Sequence, residues 1–220
     1  MKRKNRIALC LAAALLLGLT ACGGRSAAPA ETPAPSATPV PTATPVPERV
    51  LVVYFSPAGE ENEKGEAAVL AELLARKLNG DLYEIVPAKG DYPRDRDERM
   101  SVAEEELAAK ARPPIGGSLP ELDGYDAVFI GAPVWYDDWP MIGYSFLEGV
   151  DLGEKKLSPF GVYEWEEAPA GLEKKLARIC PYSTVTEALL VREENVRERL
   201  SAAENSADRW LRRLGYAVTE

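Results

Sequence analysis

The residues whose types and spacing could do chemistry gather in three places. The tetrapeptide Ser56-Pro57-Ala58-Gly59 ends an apolar, β-branched run at residues 50–55, and a helical pattern starts near Lys64. A buried strand, a loop and a helix N-terminus in that order form the lip of an anion pocket, because free backbone N–H groups point out of such a loop. Glu60, Glu61 and Glu63 stand in the same loop, where like charge opposes an anion. The second place is Gly131-Ala132-Pro133-Val134-Trp135-Tyr136, a loop rich in aromatic surface after another apolar run, and the third is the bulky Tyr163-Glu164-Trp165-Glu166-Glu167.

The sequence contains no histidine, which removes Ser-His and Cys-His nucleophile pairs, histidine bases and histidine-rich metal sites. No GxSxG or HExxH pattern is present. Chemistry carried by a bound cofactor survives this filter. Of the three cysteines, Cys10 and Cys22 fall near the amino end, so Cys180 has no partner for a disulfide within the domain and reads as a small buried apolar residue. Asp137 and Asp138 are neighbours in a loop and are expected to diverge into solvent rather than hold a metal. Residues 104–106, all glutamate, read as a solvated helix face. Trp139, before Pro140, is expected to pack, and Trp210 to lie in the core.

The elements that must position these loops alternate. Strands are expected at residues 50–55, 81–86, 125–130, 156–162 and 184–190. Helices are expected at 66–78, 101–111 with a Ser101/Glu104 capping box, 140–148, 171–179 and 193–214. The last carries Val196, Leu200, Ala203, Ala207, Trp210 and Leu214 on one face. Five strand–helix alternations argue for a parallel sheet covered on both faces, with right-handed crossovers.

Residues 1–21 have a basic start (Lys2, Arg3, Lys4, Arg6) and a short apolar core, the pattern of a secretory signal. Leu19-Thr20-Ala21-Cys22 resembles the bacterial lipoprotein processing box, which implies lipidation at Cys22, a membrane anchor and an extracytoplasmic location on the bacterial cell membrane. Residues 22–48 are Ala, Pro, Thr and Ser in near repeat, a tether that cannot bury a core. Residues 49–220 suit one compact domain. The formal net charge is −9, and loss of the four basic signal residues brings it to about −13. Nucleic acid is thereby excluded as a partner, since it requires positive charge.

The segments VLVVYFSPAG at 50–59, DGYDAVFIGAPVWYDDWPM at 123–141 and KKLSPFGVY at 155–163 together resemble the flavodoxin-like family, more particularly its lipoprotein-tethered bacterial members. The resemblance implies a three-layer α/β sandwich with a five-stranded parallel sheet of order 2-1-3-4-5. It also implies flavin mononucleotide (FMN) at the carboxyl ends of the strands, by the switch point between the first and third. Carried onto this chain, it implies a phosphate cradle from Ser56, Ala58, Gly59 and Asn62. Pro133, Val134, Trp135 and Tyr136 would pack on or beside the isoalloxazine, and the loop holding Tyr163 and Trp165 would wall the other side. The chain departs from the family pattern where Ala58 replaces a threonine and where Glu60, Glu61 and Glu63 crowd the cradle. Such charge opposes a phosphate by on the order of 1–4 kcal/mol. Two readings therefore stand side by side: a membrane-tethered FMN-binding protein taking part in electron transfer with a redox partner, or a flavodoxin-fold domain that has lost the cofactor and acts as an acidic binding or scaffolding module.

Overall fold

The computed structural model describes residues 48–59 and 64–218. The signal at 1–21, Cys22, the tether to residue 47, and Glu60, Glu61, Asn62 and Glu63 lie outside them. No helix among the described residues is long and apolar enough to cross a membrane.

The centre of the molecule is β1 (Val50–Tyr54), buried along its whole length. Alternation along an extended strand sends Val50, Val52 and Tyr54 into one apolar cluster and Leu51, Val53 and Phe55 into another. A strand with both faces apolar is stable only when both are covered. The first face is covered by α1 (Glu66–Leu78) and α6 (Leu200–Arg213), through Leu70, Leu74, Ala203, Ala207 and Trp210. The second is covered mainly by α3 (Met141–Gly149) and α4 (Leu172–Ile179), with Ile142, Phe146, Leu172 and Leu176 against the sheet. Val102 and Leu107 of α2 (Arg96–Ala109) pack at the margin of that layer.

Parallel pairing joins β1 to β2 (Asp81–Glu84) on one side and to β3 (Ala127–Pro133) on the other, and β3 to β4 (Lys156–Tyr163). The order is 2-1-3-4-5, as expected. The fifth position is filled by two short strands, β5 (Thr184–Val185) and β6 (Leu189–Arg192), both parallel to β4. The interruption has partners of its own: Thr186 Oγ1 lies 3.1 Å from Ser158 Oγ, and the Ala188 N–H donates to Glu173 Oε1 at 3.0 Å. Between them the Glu187 carbonyl accepts the indole N–H of Trp210 at 3.0 Å, so the break satisfies a donor on a fully buried side chain.

Three expected boundaries move. α2 begins at Arg96, five residues before Ser101, because Asp95 is its N-cap and accepts the Glu98 N–H at 2.9 Å; the Ser101/Glu104 box does not form. β3 continues to Pro133 because pairing with β4 runs on to Pro133 and Val162. Gly131 permits this, since a Cβ there would meet the Phe160 ring at 2.0 Å. The single C-terminal helix is two, α5 (Glu193–Arg197) and α6, parted at Glu198 and Arg199. Leu200 then starts a new helix and is 40% exposed, off the buried face where it was expected.

Candidate functional site

At the carboxyl edge of the sheet the chain leaves β1 toward one layer and leaves β3 toward the other, and the diverging loops open a crevice. A cavity of about 470 Å³ lies there, within the range of small-molecule and cofactor sites. Its floor and one wall are Ser56, Pro57, Ala58 and Gly59, closed against the start of α1. A Cβ on Gly65 would meet Ser56 Oγ at 2.3 Å and the Pro57 carbonyl at 2.6 Å, so only glycine lets loop and helix approach this closely. The first-turn N–H groups of a helix lack intrahelical partners and face outward, which favours an anion.

The loop after β3 reaches the cavity through a two-residue turn. Trp135 and Asp138 exchange backbone hydrogen bonds of 2.9 Å each, and Tyr136 and Asp137 between them have φ of 51° and 57°. Non-glycine residues pay sterically for that conformation, and Asp138 holds it in place. Its carboxylate accepts the Trp139 N–H at 2.8 Å and the Tyr144 hydroxyl at 2.6 Å, with Lys175 Nζ at 2.9 Å. Asp138 therefore does not diverge into solvent as expected, whereas Asp137 is exposed. Burial, and then the bond to Asp138, push the Tyr144 hydroxyl well above the usual phenol range.

The turn presents Trp135 to the cavity while its ring packs on Phe55 (5.9 Å, 89°) and Tyr92 (5.5 Å, 54°). Tyr92 is fixed in turn by its hydroxyl bond to Glu106 at 2.7 Å. Glu106 is thus half-buried and engaged, unlike the exposed Glu104 and Glu105. Trp165 also lines the cavity and is 48% exposed.

Of the sequence-predicted residues, Ser56, Ala58, Gly59, Pro133, Val134, Trp135 and Trp165 line the one cavity. Tyr136 and Tyr163 are not among its walls: Tyr136 turns outward and donates its hydroxyl to the Met100 carbonyl at 3.3 Å, and Tyr163 packs with the α3/α4 layer. Asn62 lies outside the described residues. Trp139, Trp210 and Cys180 are buried as expected, and burial pushes the Cys180 thiol up to about 11.

Lys64 and Glu164 belong to loops already singled out in the sequence, whereas the arginines and the other carboxylates of the lining were not foreseen. Lys64, Arg96, Arg99 and Arg197 line the cavity together with Glu66, Glu164 and Glu193. Arg96 pairs with Glu164. Arg197 grips Glu66 through Nε at 2.9 Å and Nη2 at 2.7 Å and also bonds Glu193. Arg99 is held by the carbonyls of Pro93 and Arg94 at 3.0 and 2.8 Å and has no carboxylate partner among the described residues. The only sequence signal was the basic spacing of Arg94, Arg96 and Arg99 in a stretch otherwise read as polar. Burial and the neighbouring charges of Glu66 and Glu164 raise the Glu193 carboxyl, while Arg197 lowers it. Cationic groups beside a helix N-terminus, with two indoles in the same lining, fit a ligand that joins a phosphate to a flat aromatic ring.

No curated protein sequence matches the chain. Among solved structures it is similar to a provisionally named flavoprotein from Bacteroides uniformis, with 29% identity, a TM-score of 0.56, and 70% of this chain and 98% of that one covered. It is similar also to a provisionally named flavoprotein from Bacteroides eggerthii, at 32% identity and a TM-score of 0.54, over 71% of this chain and 98% of that one. Residues 49–206 match the flavodoxin family, and with its sheet order and switch-point crevice the chain belongs to that family.

Proposed function

We propose that this chain binds FMN in the switch-point cavity and takes part in electron transfer at the outer face of a bacterial membrane, tethered by lipid on Cys22. The observation that carries the cofactor reading is the composition of one cavity: the Ser56–Gly59 loop and α1 start, the indoles of Trp135 and Trp165, and Lys64, Arg96, Arg99 and Arg197 on its walls. When bound, FMN supplies one- and two-electron redox chemistry. The protein's part is to hold and shield it. Trp135, packed against Phe55 and Tyr92, offers a rigid face, and Met100, Val134 and Val162 add apolar surface to the lining. The carboxylates Glu66, Glu164 and Glu193 disfavour added negative charge, which lowers the reduction potential of a ring held beside them.

A second reading is favoured by one specific observation. Two of the three arginines in the cavity wall, Arg96 and Arg197, are already bonded to Glu66, Glu164 and Glu193, so much of the wall is electrostatically satisfied and suits a domain that acts as an acidic binding module. Titration of the full chain with FMN separates the two. Quenched flavin fluorescence and yellow colour retained on desalting support the cofactor reading; no binding at high micromolar FMN leaves the binding module. The anchor is tested by metabolic labelling with a fatty acid, which Cys22→Ser abolishes if the lipid is there.

A further inference from the structure

The charged residues of the cavity wall divide by layer. On the side of α1 and α6, Arg197 bonds Glu66 in the first turn of α1 and Glu193 at the start of α5, and Lys64 bonds Glu72 at 2.6 Å. With the Ser56–Gly59 loop and the α1 start, this is the end suited to a phosphate. Opposite it stands the start of α2, tied to both loops that carry the indoles. The Met100 carbonyl accepts the hydroxyl of Tyr136, the neighbour of Trp135, at 3.3 Å. Arg96 bonds Glu164, the neighbour of Trp165. Tyr92 packs on Trp135 at 5.5 Å and leads into Pro93 and Arg94, whose carbonyls hold Arg99. Arg99 thus belongs to the aromatic end of the cavity.

Its charge is handled differently from that of the other cations in the wall. Arg96, Arg197 and Lys64 each face a carboxylate. Arg99 Nη1 donates instead to the Pro93 and Arg94 carbonyls, at 3.0 and 2.8 Å. Those carbonyls have no net charge, so they fix the plane of the guanidinium without neutralising it. The sequence neighbours Asp95, Asp97 and Glu98 are exposed and do not line the cavity. Half-buried and held in place, Arg99 leaves at the aromatic end a positive charge with no carboxylate partner among the described residues. A charge fixed in a shielded place acts more strongly than the same charge in water and needs no rearrangement to do so.

Two electrons from a low-potential donor and one proton from solvent leave an isoalloxazine with one negative charge, which a cation at the ring can stabilise. We propose that Arg99 favours this reduced form over the neutral oxidised ring and so raises the two-electron midpoint potential of bound FMN. The inference rests on the FMN reading above. Glu66, Glu164 and Glu193 oppose negative charge on the ring, but each is bonded to a guanidinium, and Arg99 acts against them. The pocket then retains FMN more firmly once it is reduced, and the domain is biased toward accepting electrons from its partner.

The full chain loaded with FMN is titrated reductively near pH 8 against a dye of known potential, with riboflavin as the phosphate-free control. Arg99→Gln is expected to lower the midpoint by about 30 mV, equivalent to a tenfold loss of preference for the reduced ring in a two-electron couple, with either flavin. Arg99→Lys keeps the charge and is expected to recover about half of that shift or more. Affinity for oxidised FMN, read by fluorescence, is expected to change by less than about threefold in both variants. Arg99→Met serves as the neutral variant should Arg99→Gln not fold. An unchanged midpoint in the neutral variant, or an equal fall in Arg99→Lys, overturns the assignment and leaves the cofactor reading standing. Weaker binding of oxidised FMN with riboflavin unaffected moves Arg99 to the phosphate and overturns it as well. Failure of both flavins to bind the parent chain overturns the cofactor reading and this inference with it.

Discussion

Replacing Asp138 tests whether the aromatic wall of the pocket is held by one partly buried carboxylate. Tyr136 and Asp137 sit at φ 51° and 57°, and each left-handed non-glycine residue costs about 1–2 kcal/mol. Two backbone bonds of 2.9 Å close the turn, and the Asp138 carboxylate adds three contacts, to the Trp139 N–H, the Tyr144 hydroxyl and Lys175. A hydrogen bond to a charged group contributes about 1.5–3 kcal/mol when shielded, and Tyr144 is only 7% exposed. The Lys175 pair, a third exposed on the lysine side, adds less than about 1 kcal/mol. Asp138→Ala is therefore expected to cost about 3–4 kcal/mol, a fall in Tm of roughly 6–16 °C for a domain of this size. Asp138→Asn keeps Oδ1, which accepts from both Trp139 and Tyr144, but loses the charge and the Lys175 pair at Oδ2, and is expected to cost about 1–2 kcal/mol. Asp137→Gly in the Asp138→Ala background should recover up to about 1 kcal/mol, since glycine adopts the turn without strain. Denaturant unfolding of the three variants measures this series. An Asp138→Ala protein within about 0.5 kcal/mol of the parent would refute the reasoning and leave the turn to its two backbone bonds.

Trp165→Ala, at a site 48% exposed, should change stability by less than about 0.5 kcal/mol yet weaken FMN binding by about 0.5–1.5 kcal/mol, seen as a threefold to tenfold shift in a flavin fluorescence titration. Gly131→Ala places a methyl 2.0 Å from the buried Phe160 ring and should destabilise by about 3 kcal/mol or more, measured by urea unfolding. Glu106 gives a pH-dependent case. Burial raises its carboxyl above the ordinary value although the Tyr92 bond opposes this, so the unfolded chain loses its proton first as pH rises. The penalty is absent below the unfolded pKa and complete above the folded one. Glu106→Gln should therefore raise Tm at neutral pH and leave it unchanged near pH 3, as thermal scans at the two pH values would show.

The sequence carried the sheet order and most elements because their signals are local and strong. Residues 50–55 are apolar on both faces, a pattern that a central parallel strand requires, and Asn79-Gly80 marks the end of α1 where it occurs. What was illegible lay in interactions between distant residues. The break between α5 and α6 has no proline or glycine to announce it, and Val196, Leu200 and Ala203 keep helical spacing straight across it. The split of the fifth strand accompanies a bond from Trp210, whose indole N–H takes the Glu187 carbonyl from 23 residues further along the chain. Asp137 and Asp138 are identical in the sequence, and only the turn geometry sends one outward and buries the other against Tyr144. The seven cavity residues named by resemblance lie in loops next to recognisable strands or, for Pro133, at the end of one, whereas Arg96, Arg99 and Arg197 come from helices whose docking no motif records.

That difference changes how the charge of the chain bears on its ligand. A net charge of −9 argues against binding to an extended polyanion, whose many phosphates sample the average surface. A single phosphate on a small ligand samples a few ångström, and there the relevant sum is that of the cavity wall. Four cationic side chains stand among three carboxylates in the cavity lining, a local balance unlike that of the acidic protein as a whole. They come from α2, from α5 and from the chain entering α1, spread along the sequence from Lys64 to Arg197 and brought together by the crossovers on both faces of the sheet. An acidic loop after the first strand thus counts against a phosphate only for as long as that loop is taken as the whole site, and the fold supplies the missing cations from both layers around it.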